Sequence, residues 1–316
     1  MASRQPPPPP QTFWQRVKAF FRTISVEPVM LLDGMAFSNM VVLVETLQMD
    51  KVCLIHLNQT REVCDNISEY DDIKKATTTK VSEFAMYNGI ILAVIPLFFI
   101  LFMGAWSDRY GRKVPLCIST TGHVLYALGY LVTSAVDSWP VEYLWFVSLL
   151  DSLGGGAVCF LTAANSYMSD VTSEAERTAR LGLANSLWFL GGPVGTLMGK
   201  YIFDAGGYQV LFGTSLAMSL AALLYIIFYL PESHGVFANV AKLEKKLPPK
   251  QSLRLRESVA WVYGIDKGDK KRDVMKTNSV FKKAKHITVS QMVKDFFNPQ
   301  RFLESLKCTF KKRDGH

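Results

Sequence analysis

Six long apolar runs constrain this chain more than any other feature of its sequence. Each is about 20 residues long, which at ~1.5 Å per helical residue matches the ~30 Å hydrocarbon core of a bilayer. A large soluble helical core is the alternative, but soluble helices are usually shorter and carry a polar face. The runs occupy residues 28–48, 84–103, 114–134, 143–164, 181–201 and 209–230. With Trp106, Trp139 and Tyr201 near run ends, they predict an all-α membrane protein with a six-transmembrane-helix bundle.

The positive charge of the chain is concentrated after the last apolar run. Residues 235–316 hold twenty Lys and Arg against eight Asp and Glu, or +12, so the net +8 leaves −4 for residues 1–234. The basic pI of about 9.1 is therefore a topology signal and does not predict a nucleic-acid partner. The 49% hydrophobic content excludes a disordered chain, and five cysteines are too few for a disulfide-dense secreted scaffold.

Three segments follow from these patterns. Residues 1–26 are predicted to be a cytoplasmic tail with an interfacial helix, 27–231 the six-span bundle, and 232–316 a basic cytoplasmic tail. The connections on the side of the two termini carry twenty-nine Lys and Arg, and those on the opposite side carry six. Because cytoplasmic loops retain positive charge, both termini are expected in the cytoplasm.

The long first loop supports the same orientation. It contains two N-glycosylation sequons, at Asn58 and Asn66, which are modified only on the lumenal or extracellular side. Cys53 and Cys64 share this oxidising side, where they bridge each other or more distant partners.

Ionisable residues inside the apolar runs are candidates for a transport pathway, because a charge in the hydrocarbon region is costly. Asp33 lies in the first run, His123 in the third and Asp151 near the middle of the fourth. Asp151 is the strongest candidate, since its depth leaves no route for snorkelling to water. The alternative for Asp151 is a structural carboxylate that is hydrogen-bonded to a neighbouring helix. His123 is equally open to a packing role.

The fifth run carries a stripe of small residues. Gly191, Gly195 and Gly199 are four apart, so they lie on one helix face where another helix can approach closely. Pro193 frees a backbone carbonyl within the same stretch and softens the helix. Ordinary helix packing explains the stripe, and a bend at this place would also serve as a hinge.

The connection between the second and third runs holds the strongest motif, which reads Gly-x-x-x-Asp-Arg-x-Gly-Arg-Lys. Its residues are Gly104, Asp108, Arg109, Gly111, Arg112 and Lys113. Gly104 would admit a close helix, Gly111 would permit a tight turn, and Asp108 needs a partner such as Arg112. The motif resembles the signature of the major facilitator superfamily, in which it gates the cytoplasmic side. Topology control by the basic residues alone is the alternative.

A narrower resemblance rests on Val26-Glu27-Pro28-Val29, the two sequons and Arg177-Thr178-Ala179-Arg180. Together these segments look like the proton-coupled folate transporter group of solute carriers. The resemblance implies a small organic solute, folate-like or another organic anion, with protons as the coupling ion. Some members of that group use an acid in span five. This chain has Asn185 at the corresponding position, which makes Asn185 the fourth candidate for the transport pathway.

The resembled fold has twelve spans in two halves, whereas six runs and a basic tail are found here. We therefore expect the N-terminal half of a secondary transporter that needs a second half in cis or in trans. It would lie in the plasma membrane or the endolysosomal membrane, contact lipid and need no cofactor. The alternative is a non-transporting regulator or scaffold whose tail binds lipid or a partner. No enzyme motif supports catalysis.

Overall fold

The structure, a computed structural model, describes residues 24–233, 294–297 and 300. Within these ranges the chain is helical and contains no strand, which confirms the all-α prediction. The predicted interfacial helix before residue 24 and most of the basic tail lie outside the described residues. The helices are α1 Glu27–Lys51, α2 Arg61–Asp65, α3 Asp71–Tyr110, α4 Lys113–Ala135, α5 Tyr143–Leu153, α6 Gly156–Val171 and α7 Glu174–Phe228.

Short non-α turns complete the first loop. A π-helical turn at Val52–His56 continues α1, and a 3-10 turn at Ile67–Glu69 follows α2. Five stretches in the described part of the chain are long and apolar enough to cross a membrane. They are Glu27–His56, Asp71–Tyr110, Lys113–Ala135, Tyr143–Val171 and Glu174–Phe228.

The last of these stretches contains two of the predicted runs. At 55 residues α7 would be ~80 Å long if straight, more than twice the hydrocarbon thickness. Gly207 interrupts it with φ 65° and ψ −161°, a conformation open to glycine. Asn39 of α1 touches α7 on both sides of Gly207, since its amide donates to Ser215 Oγ at 2.7 Å and a Cβ at Gly199 would lie 2.8 Å from its Oδ1. The interruption thus divides α7 into two arms that both pack on α1.

The fourth predicted run, residues 143–164, is not one continuous helix. Gly155 and Gly156 have φ values of 91° and 56°, so α5 ends at Leu153 and α6 begins at Gly156. Hydrophobicity alone could not locate this break, because three consecutive glycines are compatible with a helix or with a turn. At the break Gly154 approaches α4 so closely that a Cβ there would lie 3.0 Å from Gly122 Cα.

The glycine stripe of α7 packs on α1. A Cβ at Gly191 would lie 2.7 Å from the Met35 backbone nitrogen, and one at Gly195 would lie 2.5 Å from the Met35 carbonyl oxygen. Only glycine permits this backbone separation. Pro193 lies on the exposed side of the same helix, which continues through it.

Two apolar cores lie at different heights of the bundle. One core, towards the end of the bundle where α3 meets α4, contains Met30 of α1, Leu116 of α4 and Phe160 of α6. The other core contains Met40 of α1, Tyr130 of α4, Leu144 of α5 and Phe212 of α7. A short segment of α1 and a short segment of α4 separate the two cores. The break between α5 and α6 lies at the same level. The candidate site occupies that middle level.

Candidate functional site

The middle level of the bundle holds a buried polar cluster made by Asp33, His123 and Asp151. His123 Nδ1 lies 2.6 Å from Asp33 Oδ1, and His123 Nε2 lies 3.8 Å from Asp151 Oδ1. The three side chains come from α1, α4 and α5, and both carboxylates are buried. A histidine between two carboxylates can carry or release a proton while its neighbours stay charged. The structure therefore brings together three of the four residues predicted for the pathway.

Trp188 of α7 adds a fourth helix to this cluster. Its indole Nε1 donates a hydrogen bond to Asp33 Oδ2 at 3.2 Å, and its ring stacks on Phe37 with centroids 6.1 Å apart. Sequence reasoning missed Trp188. The signal was present, because Trp188 precedes Gly191 by three residues and so lies on the glycine stripe that faces α1.

Asp151 lies in the last turn of α5, beside the helix break. Gly122 of α4 is so close that a Cβ there would lie 3.0 Å from the Asp151 carbonyl oxygen. A Cβ at Gly156, the first residue of α6, would lie 3.4 Å from Asp151 Oδ2. The N-terminus of α6 therefore lies beside the Asp151 carboxyl group.

Asn185 does not join the cluster. Its amide nitrogen donates to Asn165 Oδ1 at 2.8 Å and to the Leu181 carbonyl at 2.9 Å. The contact with Asn165 links α7 to α6, nearer the start of α7 than Trp188 is. Among the described residues, no group of three or more His, Cys, Asp and Glu is placed to hold a metal ion.

A second polar cluster lies at the end of the bundle where α3 meets α4. Arg112 forms an ion pair with Asp108 and a second with Asp170, whose Oδ2 is 3.0 Å from Arg112 Nε. Its guanidinium also donates to Ser107 Oγ at 2.5 Å. Gly104 was expected to admit a closely packed helix. Among the described residues, however, a Cβ at Gly104 would meet no atom within 4 Å.

Glu232 also belongs to this second cluster, and sequence reasoning missed it. Its Oε1 accepts hydrogen bonds from the backbone N–H groups of Arg112 at 2.7 Å and of Lys113 at 3.0 Å. Gly111 has φ 129°, and a Cβ there would lie 2.4 Å from the Glu232 carboxyl carbon. Burial raises the pKa of Glu232, although its three backbone hydrogen bonds oppose that shift. The signal was an acid directly after the last run, next to Pro231.

Two further ion pairs and one hydrogen bond lie at the same end of the bundle. Glu27 at the start of α1 pairs with Arg180 near the start of α7, with Oε1 and Nη2 2.5 Å apart. Arg109 Nη1 lies 2.7 Å from Asp295 Oδ2, and Lys113 Nζ donates to the Ile227 carbonyl at 2.8 Å. The first of these pairs joins two spans directly.

The opposite end of the bundle carries the long first loop. Cys53 and Cys64 are joined by a disulfide with Cα atoms 5.9 Å apart. Asn58 and Asn66 are both exposed on this loop. His56 Nε2 lies 2.8 Å from Glu142 Oε1, so the loop also contacts the segment that leads into α5.

Comparison with known families decides the family of this fold. The profile of the Major Facilitator Superfamily matches residues 30–306, which is most of the chain. The chain belongs to the Major Facilitator Superfamily. Its motif around Arg112 and its multi-pass helical bundle are those of this family, and the match indicates a transporter rather than an enzyme.

Three curated relatives narrow the family to the solute carrier 46 group. Rat "Proton-coupled folate transporter" is 29% identical over 67% of this chain and 44% of its own length. Chicken "Lysosomal proton-coupled steroid conjugate and bile acid symporter SLC46A3" is 23% identical over 78% and 54%. Dog "Solute carrier family 46 member 2" is 30% identical over 48% and 33%. The chain thus spans 33% to 54% of the length of the curated relatives named here.

Proposed function

We propose that this chain is the N-terminal half of a proton-coupled secondary transporter that moves a small organic solute by alternating access. The observation that carries the proposal is the buried contact of His123 with Asp33 and Asp151 at the middle of the bundle. Secondary transporters hold substrate and coupling ions near the bilayer midplane, between two halves. The names of the rat and chicken relatives, both proton-coupled transporters of organic solutes, favour the same function.

The geometry suggests how protonation would couple to movement. His123 Nδ1 lies 2.6 Å from Asp33 Oδ1, so His123 is hydrogen-bonded directly to Asp33. His123 Nε2 lies 3.8 Å from Asp151 Oδ1, which is too far for a hydrogen bond, so Asp151 can accept a further proton. A proton on Asp151 would remove a charge at the junction of α4, α5 and α6. Because a charge in a buried site strongly favours one arrangement of its neighbours, this change can bias two conformations of the bundle.

The remaining parts of the proposal concern the whole protein. The solute is a folate-like or other organic anion, and the second six-span half is supplied in cis or in trans. Residues 27–231 form the half-bundle, and residues 1–26 and 232–316 lie in the cytoplasm. The Arg112 cluster and Glu232 act there as the gate, and Pro193 together with the glycines of α7 serves as a hinge. The membrane is the plasma membrane or an endolysosomal membrane.

Replacing Asp151 by Asn tests this function. In cells that express the full-length protein, Asp151→Asn is expected to reduce proton-driven uptake of folates, steroid conjugates or peptide-like solutes by more than about tenfold. Removing one charge from a buried pair costs on the order of 3 kcal/mol. Because a factor of ten corresponds to about 1.4 kcal/mol, this cost is larger than a tenfold loss requires. Uptake is measured at several pH values, with surface abundance measured by biotinylation.

Asp204→Asn is the matched control. Asp204 is an exposed carboxylate of the same residue type on α7, and its replacement should leave uptake unchanged. Normal uptake by Asp151→Asn at every pH would rule out a role of Asp151 in the pathway. Absence of uptake in the parent protein for all three solute classes would contradict the proposed substrate class.

A further inference from the structure

The interface between α3 and α5 contains buried polar atoms that have no hydrogen-bond partner. They are Asn88 Oδ1 of α3 and Trp145 Nε1 and Ser148 Oγ of α5, none of which is bonded to any described residue. Ser148 is 0% exposed and Asn88 8%. Buried polar atoms in proteins are nearly always hydrogen-bonded, to protein or to water. Three at one interface therefore indicate a place where water is a regular partner.

Two contacts fix where these atoms lie. At one end of the interface the Trp145 ring stacks on Phe84, with centroids 5.6 Å apart. At the other end Ser152 Oγ donates to the Ile91 carbonyl at 3.3 Å. Ser148 lies between the two contacts on α5, and Asn88 lies between them on α3. The two helices thus hold Ser148 and Asn88 at the same level of one interface.

The polar positions of α5 form a series that ends at the candidate site. Trp145, Ser148 and Asp151 are three residues apart, which corresponds to steps of about 4.5 Å along the helix axis. That separation is too long for a direct hydrogen bond and suits a single bridging water. Asp151 Oδ1 is itself buried and has no hydrogen bond to a described residue; it lies 3.8 Å from His123 Nε2.

We propose that water and the proton it carries reach Asp151 along this α3–α5 interface, from the end of the bundle that bears the first loop. The inference rests on the proposed function and names the route by which its coupling ion enters. The mouth of the route is at Tyr87, which is exposed and packs edge-on against Trp145 with centroids 6.0 Å apart.

The inner end of the route is surrounded by the other members of the polar cluster and by two residues without charge. The titratable groups that interact with Asp151 are Asp33 from α1 and His123 and Tyr126 from α4. α6 presents Gly156, and α3 presents Pro96 beside it, so neither adds a charge. A proton that arrives from α3 therefore meets Asp151 before it meets the His123–Asp33 pair.

Cysteine accessibility tests the route without requiring transport. In the expressed protein Cys117, Cys159 and Cys308 are replaced by Ser or Ala while the Cys53–Cys64 disulfide is kept, and Ser148→Cys is added. Silver ion, a small cation that binds a thiolate and displaces its proton, is applied outside in chloride-free buffer. After quenching and denaturation, the remaining free thiol is labelled with a polyethylene-glycol maleimide, and the gel shift is read.

Ser215→Cys is the matched control. Ser215 is equally buried, but its hydroxyl is bonded to Asn39 and to the Leu211 carbonyl between α1 and α7. The route predicts that silver protects Ser148→Cys at least about tenfold faster than Ser215→Cys, because only the former faces water. Asn88→Cys is a second variant from the opposite wall and should react like Ser148→Cys. Equal, slow protection at all three positions would show a dry interface and overturn the proposal.

A transport measurement separates this inference from the proposed function. Ser148→Ala should slow proton-driven uptake several-fold and leave solute exchange at equal pH unchanged, because exchange moves no net protons. Equal loss of both activities would count against the route and would leave the pathway role of Asp151 intact. Rapid silver protection in a protein that takes up no solute would support the route and contradict the proposed function.

Discussion

At the scale of single residues, the indole of Trp188 fixes the orientation of Asp33. Its Nε1 donates to Asp33 Oδ2, while His123 binds the other carboxylate oxygen. Trp188→Phe keeps an aromatic ring against Phe37 and removes only the donor. We expect about a tenfold loss of uptake and a changed pH profile, because a hydrogen bond to a charged group contributes roughly 1.5 kcal/mol or more.

The control for Trp188→Phe is Trp139→Phe. Trp139 stacks on Tyr143 at the first-loop end of the bundle, away from the cluster. Its replacement should alter neither the rate nor the pH profile of uptake. If Trp188→Phe gives the parental pH profile with a uniformly lower surface abundance, Trp188 has a packing role only.

The members of the polar cluster could be predicted from the sequence, but their partners could not. Asp33, His123 and Asp151 were predictable because ionisable groups are rare and costly in apolar runs. Which of them meet depends on how three helices rotate about their axes, and hydropathy does not report rotation. Glu232 was missed for a related reason, since its importance comes from the backbone N–H groups of Arg112 and Lys113.

At the scale of helices, the close approach of α1 and α7 depends on the glycine stripe. A Cβ at Gly195 would lie 2.5 Å from the Met35 carbonyl oxygen, which is backbone and cannot rotate away. Gly195→Ala is therefore expected to separate the helices at a cost of about 1–3 kcal/mol, as for other overpacked interfaces. The measurement is the melting temperature of detergent-solubilised protein by size-exclusion chromatography, which should fall by several degrees.

Gly182→Ala provides the matched comparison on the same helix. A Cβ at Gly182 meets no described atom within 4 Å, and alanine is the better helix former. This variant should melt at the parental temperature or slightly above it. Equal melting of Gly195→Ala and Gly182→Ala would mean that the two helices are not held at the distance the structure gives.

The apolar runs predicted most of the helices but did not predict the break between α5 and α6. The bounds of α1 and α4 follow their runs closely, whereas α3 begins at Asp71, 13 residues before its run. The end of α5 does not follow from its run, because only the backbone conformation of Gly155 and Gly156 distinguishes a break from a continuous helix. The break at Gly207 was predictable, because it falls between the apolar runs at 181–201 and 209–230, and it divides the 55-residue α7 into two arms. In both places the break brings a polar residue or a helix face into contact with a neighbour.

At the scale of the whole molecule, the two polar ends of the bundle differ in chemistry. One end holds the Arg112 and Glu27 ion pairs, and the other holds the disulfide and both sequons. The buried cluster lies between them, separated from each end by an apolar core. This order predicts that the sequon end is outside the cytoplasm, since basic residues favour the cytoplasmic side.

Glycosylation tests that orientation on the intact protein. Thr60→Ala and Ser68→Ala remove the two sequons without touching Asn66, whose amide donates to the Glu62 carbonyl at 3.0 Å. If the first loop faces the lumen or the exterior, the parent protein loses mass on treatment with an N-glycosidase. Each single variant then loses less, and the double variant loses nothing. A parent protein that carries no glycan would contradict this use of the exposed Asn58 and Asn66. In that case a cysteine placed at exposed Ser68, in the cysteine-replaced background, should still react with an impermeant maleimide in intact cells if the orientation holds.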